Sequence, residues 1–249
     1  MTPLLEVRDV TKSYGGVVAL AACSLSITRP GIYGLIGPNG AGKTTLFDVI
    51  TGATDPDDGM ARWDGRDITG IAAHRLPALG IARSFQECRI FPEYDCLDNL
   101  LFVLQPKGLP RTLKQIVTRE TLLPPAHDEA MRMLRLVNLE RYAHEPAGTL
   151  SFGQRRLLEI VATFIARPGL LMLDEPASGI NPALLETLST FLCARYEERP
   201  AVFLIVEHNM EFIMALAHEI IVMHQGAVLE RGSAQAIQSS SRVAEAYLG

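Results

Sequence analysis

The spacing of apolar residues divides the chain into stretches of two kinds. Leu4-Leu5-Glu6-Val7-Arg8-Asp9-Val10 alternates as a half-buried strand does, and 19–27 offers a second strand. Thr11-Lys12-Ser13-Tyr14-Gly15-Gly16 between them reads as a turn presenting an aromatic ring. Gly31-Ile32-Tyr33-Gly34-Leu35-Ile36 is a short buried strand, and 60–63 followed by Asp64-Gly65 predicts a hairpin edge. Ile81-Ala82-Arg83-Ser84-Phe85 reads as another buried strand, with Gln86 at its end. Leu170-Leu171-Met172-Leu173-Asp174-Glu175 and 201–206, the latter running into Glu207-His208, are unbroken apolar runs ending in polar groups. That is the pattern of central parallel strands.

Helical spacing fills the rest. Leu184, Leu185, Leu188, Phe191 and Leu192 make one stripe along 182–198. From about 88 to 158 strand-like runs vanish, and helical patterns occupy 97–104, 128–139 and 152–167. Strand–helix–strand alternation predicts an α/β fold with a parallel sheet and right-handed crossovers. Ligands gather at the carboxyl ends of such strands, where Gly37, Gln86, Asp174, Glu175 and His208 all fall.

One of those ends carries Gly37-Pro38-Asn39-Gly40-Ala41-Gly42-Lys43-Thr44-Thr45, which fits G-x-x-x-x-G-K-[ST]. Glycines let successive backbone N–H groups turn inward around an anion. Lys43 adds a compact positive charge for the β/γ-phosphates, and the Thr44 hydroxyl is a hard ligand for Mg²⁺. The segment 44–50 reads as a helix whose N-terminus points its dipole at the phosphates. The expected fold is thus a P-loop NTPase (RecA-like) core over 1–87 and 159–249. A small antiparallel β subdomain and an inserted α-helical subdomain over about 88–158 complete it.

Composition changes this picture little. The 249 residues carry a formal net charge of −5, with 48% hydrophobic and 20% charged residues, ordinary for a globular α/β domain. An acidic balance gives no footprint for nucleic acid. Cys23, Cys88, Cys96 and Cys193 form no C-x-x-C pair and have no histidine at zinc-ligand spacing, so they read as reduced and mostly core. Met1-Thr2-Pro3-Leu4-Leu5-Glu6 lacks the basic start and apolar run of a signal peptide. The most apolar run, Val202-Phe203-Leu204-Ile205-Val206, is too brief to span a bilayer. A soluble chain is expected, which leaves docking on a membrane partner open. Within 105–127, Lys107, Arg111, Lys114 and Arg119 are too sparse for a basic block, and the segment reads as a solvated loop with a short helix.

The chemistry beyond the phosphate loop rests on a few residues. Phosphoryl transfer to water needs a metal held near the phosphates and a group that orients or deprotonates the nucleophile. Adjacent carboxylates at a strand end can divide those tasks, Asp174 towards the metal and Glu175 towards the water. A lone histidine after a strand is usually structural, but His208 stands at a strand end in the same crevice, which favours a second role of reaching the γ-phosphate. The Gln86 amide can ligate Mg²⁺ or hold the attacking water. Leu150-Ser151-Phe152-Gly153-Gln154 is a capping box opening a helix that Pro168-Gly169 stops. A Ser-capped helix start with glycine in its first turn is also an anion site. A second such site in one chain points to a nucleotide bound by another subunit.

The order of 37–45, Gln86, 150–154, 171–175, Ser178-Gly179-Ile180-Asn181 and His208 resembles that of ATP-binding cassette (ABC) ATPases. The likeness spans nearly the whole chain. Gly80-Ile81-Ala82-Arg83-Ser84-Phe85-Gln86, Arg89-Ile90-Phe91-Pro92, Asn99-Leu100-Leu101, Val206-Glu207-His208-Asn209-Met210 and Ala246-Tyr247-Leu248-Gly249 are similar to the branched-chain amino acid importer ATPases, with urea-type importers close behind. The resemblance implies a cytoplasmic subunit that binds and hydrolyses ATP with Mg²⁺ and is held on the inner face of the membrane by transmembrane permease subunits. It implies a periplasmic solute-binding protein acting indirectly, and a second ABC ATPase subunit forming a homo- or heterodimer. In that dimer Ser151, Gly153 and Gln154 of one subunit contact the nucleotide of the other. Tyr14 stacks on adenine, Glu175 is the general base, and His208 senses the γ-phosphate. The surface of Arg89, Ile90, Phe91 and Tyr94 receives a coupling helix. Two positions depart from the family pattern: Phe152 replaces the first signature glycine, and Asn181, a possible N-cap for a helix from Pro182, replaces aspartate. The rival readings are a soluble, non-transport ABC protein acting on a macromolecule and a small-molecule kinase. The first lacks the extra modules such proteins carry, and the second leaves 150–154 unexplained.

Overall fold

The computed structural model describes residues 2–84, 90–104 and 123–248. Its strands are β1 (Leu5–Tyr14), β2 (Val17–Ile27), β3 (Gly31–Ile36), β4 (Asp58–Trp63), β5 (Arg66–Asp67), β6 (Ile81–Arg83), β7 (Leu170–Asp174), β8 (Val202–Val206), β9 (Glu219–His224) and β10 (Ala227–Gly232). Its α-helices are α1 (Lys43–Ile50), α2 (Cys96–Leu104), α3 (Leu123–Leu136), α4 (Phe152–Ile165), α5 (Pro182–Glu198), α6 (Met210–Leu216), α7 (Ala234–Gln238) and α8 (Ser241–Leu248). Short 3₁₀ turns lie at Ala73–Leu79, Glu140–Tyr142 and Ala147–Thr149.

The chain divides into two compact units. The first contains Met1–Arg83, Pro168–Pro176 and Tyr196–Gly249; the second contains Ser84–Arg167 and Ala177–Arg195. Two sheets build the first unit. One has six strands in the order β10-β9-β3-β8-β7-β6, parallel from β9 to β6 with β10 antiparallel at one edge. The other has four antiparallel strands in the order β2-β1-β4-β5. Every residue of β3, β7 and β8 is buried, as their unbroken apolar runs require of strands covered on both faces. Leu46, Phe47, Val49 and Ile50 of α1 join one apolar core with Leu5, Val7 and Leu25 of the antiparallel sheet and Leu35, Met172 and Leu204 of the parallel sheet. The helix after the phosphate loop is therefore fixed by side chains from both sheets.

The second unit is helical among the described residues. Ala130, Met133, Leu134 and Val137 are buried from α3 and the turn after it, with Leu157, Leu158, Ile160, Val161 and Phe164 of α4 and Leu97 and Leu100 of α2. Phe164 meets Phe191 of α5 edge to face, with ring centroids 5.0 Å apart. Arg156 and Glu159 form a buried pair at 2.7 Å, one turn apart on α4.

Several boundaries differ from the sequence expectations. The turn expected over 11–16 is only Gly15-Gly16, because Lys12, Ser13 and Tyr14 pair with Leu20, Val18 and Val17 and extend β1. Asp57 holds this polar end, taking Lys12 Nζ at 2.9 Å and the Ser13 N–H at 2.7 Å. The strand expected over 81–85 ends at Arg83. The helix expected over 128–139 begins at Leu123 and stops at Leu136. There Asn138 adopts a left-handed φ of 57° and Leu139 N–H closes on the Leu134 carbonyl at 2.8 Å. α4 stops at Ile165, and Arg167 turns left-handed at φ 52°. Along α5 only Leu188, Phe191 and Leu192 of the expected stripe are buried, together with Arg195. Cys23 and Cys96 are buried as expected, whereas Cys193 is exposed.

Candidate functional site

Register alone brings three strand ends to one edge of the first unit. Leu35 of β3 pairs with Val206 of β8, and Val206 pairs with Asp174 of β7. Gly37, His208 and Glu175 follow within two residues of that line. The edge is the carboxyl end of a parallel sheet, the place where α/β folds leave a crevice.

At the β3 end the chain reverses into α1. Gly42, the N-cap of α1, has φ 97° and no side-chain cap bond. A Cβ there would lie 2.5 Å from the Ala19 carbonyl oxygen. Gly37, at φ 150°, passes so close to Met223 that a Cβ would overlap its carbonyl oxygen. Packing thus demands glycine at both positions, independently of any ligand. Lys43 is 6% exposed, and its Nζ donates to the Gly37 and Pro38 carbonyls at 2.8 and 3.0 Å, arching across the loop. Burial pulls the Lys43 ammonium below its ordinary range, against the opposing pull of Glu175 and Asp174. A Cβ at Gly40 would meet nothing within 4 Å. Pro38, Asn39, Ala41 and Thr45 complete the loop with Thr44, whose side is exposed. Glycine backbone, a buried cation and a helix start together suit an anion of phosphate type.

Asp174 is fully buried at the end of β7, and burial raises its carboxyl above the usual range while the Arg83 hydrogen bond and charge oppose that shift. Arg83 Nη2 donates to Asp174 Oδ2 at 3.0 Å. Its Nη1 donates to Asp48 Oδ1 at 2.6 Å and to Thr51 Oγ1 at 2.9 Å on α1. The sequence marks Asp174 as a strand-end carboxylate and Arg83 as part of the 80–86 stretch, but not that the two meet or that Asp48 and Thr51 join them. Glu175, next along, has a left-handed φ of 46°, a strained state for this residue, fixed by its N–H donating to the Val206 carbonyl at 2.9 Å. The turn aims its carboxylate at His208, whose Nε2 lies 3.2 Å from Glu175 Oε1. Glu207, 3% exposed, accepts from the backbone N–H groups of His208 and Asn209 at 2.9 and 3.0 Å. Asn209 caps α6 through the Phe212 N–H at 3.0 Å.

The other expected residues are placed as follows. Tyr14 ends β1 with its ring 47% exposed and Lys12 Nζ 5.5 Å from its centroid. In the second unit the capping box is formed, Ser151 Oγ accepting from Gln154 N–H and Gln154 Oε1 accepting from Ser151 N–H at 2.9 Å. Gly153 is buried against Leu184 and Ile180, while Phe152 is exposed and lies over Gly179. Asn181 Oδ1 accepts from the Leu184 N–H at 3.0 Å, the capping bond expected for a helix from Pro182. Phe91, Tyr94 and Phe102 form an exposed aromatic group with centroid separations of 5.8 and 5.1 Å from Phe91. Asn99, 6% exposed, holds its turn by accepting from Phe91 N–H and donating to the Phe91 and Asp95 carbonyls. Gln86, Cys88, Arg89 and the basic positions of 105–122 lie outside the described residues. Among the described residues no three His, Cys, Asp or Glu side chains gather into a metal cage. A divalent cation at this edge would be held by hard oxygens from Thr44 and Asp174 together with phosphate oxygens, a donor set that suits Mg²⁺.

Loop, acidic strand end and histidine at one edge of a parallel sheet define a nucleotide-binding ATPase, and the comparisons make the class specific. The family model described as ABC transporter matches residues 20–178. The chain belongs to the ABC transporter family. It is 37% identical to the high-affinity branched-chain amino acid transport ATP-binding protein BraF of Pseudomonas aeruginosa, over 99% of this chain and 98% of that one. It is 32% identical to the corresponding LivG protein of Escherichia coli, with the same coverage of 99% and 98%. Among solved structures it is similar to MJ1267, an ATP-binding cassette of an ABC transporter, at 28% identity and a TM-score of 0.84 over 100% of both chains. No helix among the described residues is long and apolar enough to cross a membrane.

Proposed function

We propose that this chain is the ATP-binding and hydrolysing subunit of a membrane importer for branched-chain amino acids or a similar small polar solute. The observation that carries the reading is the convergence of the 37–45 loop, Asp174, Glu175 and His208 on one sheet edge, in a chain that aligns end to end with BraF and LivG. The 37–45 backbone and Lys43 hold the β- and γ-phosphates. Tyr14, exposed and rigid at a strand end, is the platform for the adenine ring. Thr44 and Asp174, with Gln86, would hold Mg²⁺, whose charge would offset that of the phosphates. Glu175 takes the proton of the attacking water, and His208, 3.2 Å away, holds that carboxylate and reaches for the γ-phosphate.

Ser151, Gly153 and Gln154 belong to a second ATP site, completed by another ABC subunit, identical or different. The helical segment over about 88–158 is the inserted subdomain. Its exposed Phe91 and Tyr94 receive a permease subunit, which keeps the chain on the inner face of the membrane and links it to a periplasmic solute-binding protein. A pull-down from native membranes in mild detergent tests the transport reading. Recovery with an integral membrane protein, and ATPase activity that rises in that complex, is the expected result. Recovery with RNA or DNA and no membrane protein overturns it.

A further inference from the structure

Arg83 sits where its register makes it useful. It pairs with Met172 across the β6–β7 ladder, so Asp174 lies two residues further along β7 and on the same face of the sheet. The guanidinium spans that step to reach Asp174 Oδ2, and its second nitrogen reaches Asp48 and Thr51. Those two anchors are not arbitrary points on α1. Thr44, Asp48 and Thr51 follow one another at i, i+4 and i+7, a single stripe of the helix. Thr51 is tied back in turn, its hydroxyl donating to the Phe47 carbonyl at 2.7 Å. The arginine also lies over the Phe47 ring, 5.8 Å from its centroid.

We infer that Arg83 is a positioning residue that sets the Asp174 carboxylate against the Thr44 face of α1, and so fixes the spacing of the two groups that hold a divalent cation beside the nucleotide. This deepens the ATPase reading above and rests on it. The chemistry explains the residue type. One planar fork with several fixed donors can serve three oxygens on two elements, whereas a lysine ammonium is a single point on a flexible stem. One guanidinium between two carboxylates also leaves the cluster one charge negative, the sign that favours a cation. Removing the fork leaves Asp174 at the end of a buried strand with its orientation no longer tied to α1.

The test is equilibrium binding of a fluorescent ATP analogue to the full-length chain, once with Mg²⁺ and once with EDTA. Arg83→Gln is expected to keep its EDTA affinity within about twofold of the parent while losing about tenfold of the gain that Mg²⁺ confers. Arg83→Lys recovers part of that gain. Equal weakening in both conditions, or an unchanged Mg²⁺ gain, overturns the inference, since a purely structural arginine would do one or the other. Asp48→Asn serves if Arg83→Gln does not fold: it loosens the anchor on α1 and leaves Arg83 and Asp174 in place. A smaller loss of Mg²⁺ gain supports the positioning role, and an unchanged gain refutes it. Lys43→Ala in the same assay separates the two levels of argument. If it leaves nucleotide affinity unchanged, the nucleotide site itself is misassigned. If it weakens binding while Arg83→Gln keeps its full Mg²⁺ gain, only the role of Arg83 falls.

Discussion

The helix that follows the phosphate loop and the helix that follows Ser151 both begin with a small residue, and they are held in different ways. Gly42 starts α1 with no side-chain bond; its place is set from outside, by the Ala19 carbonyl against its Cα and by the Gly226 N–H donating to the Ala41 carbonyl at 3.1 Å. Ser151 starts α4 with two reciprocal hydrogen bonds, all within four residues. The first arrangement depends on strands far away in sequence, the second on its own turn. Damage to the phosphate loop should therefore be steric or electrostatic and large. Damage to 151–154 should be local and modest in stability, whatever it does to activity.

The largest expected effect is on chemistry at the first region. Glu175→Gln keeps the shape of the turn and removes the carboxylate proposed as the base, so steady-state ATP hydrolysis should fall about 10²–10⁴-fold with nucleotide binding preserved. Near-normal turnover would remove Glu175 from the mechanism. Lys43→Ala comes next. It deletes the buried cation that spans the loop, and nucleotide affinity should drop about tenfold or more in equilibrium titration. Affinity unchanged in that variant would break the comparison, because the loop would then owe nothing to its charge. Gly42→Ala follows, acting on fold rather than on charge. Alanine must accept φ 97° and a close carbonyl, and urea unfolding should show a loss of about 1–3 kcal/mol.

These regions also differ in how much of them the sequence reveals. The 37–45 loop, the buried strands β3, β7 and β8 and the capping box at Ser151 follow from local pattern: glycine spacing, unbroken apolar runs, and Ser followed three residues later by Gln. The Asn181 cap is of the same kind. Arg83 is not, since its three partners lie 35, 32 and 91 residues away and only the fold brings them together. The 3.2 Å approach of His208 to Glu175 and the left-handed turn at Glu175 are equally invisible in one dimension. Strand ends failed for a related reason. The ladder carries Lys12, Ser13 and Tyr14 into β1 while Asp57, remote in sequence, satisfies the Lys12 ammonium and the Ser13 N–H.

The smallest effects belong to the second region, and they bear on what holds it. Ser151→Ala removes an acceptor for the Gln154 N–H at an exposed helix start, which costs about 1 kcal/mol in comparable caps. Phe152 offers the alternative anchor, since its ring covers Gly179. That ring is 54% exposed, so truncation forfeits only part of a side chain's burial, and Phe152→Ala should cost about 0.5 kcal/mol or less. Urea unfolding of the two variants beside the parent decides between cap and ring. If Phe152→Ala proves the more damaging, the segment is held by tertiary packing after all. The contrast with the phosphate loop then narrows to a difference of degree.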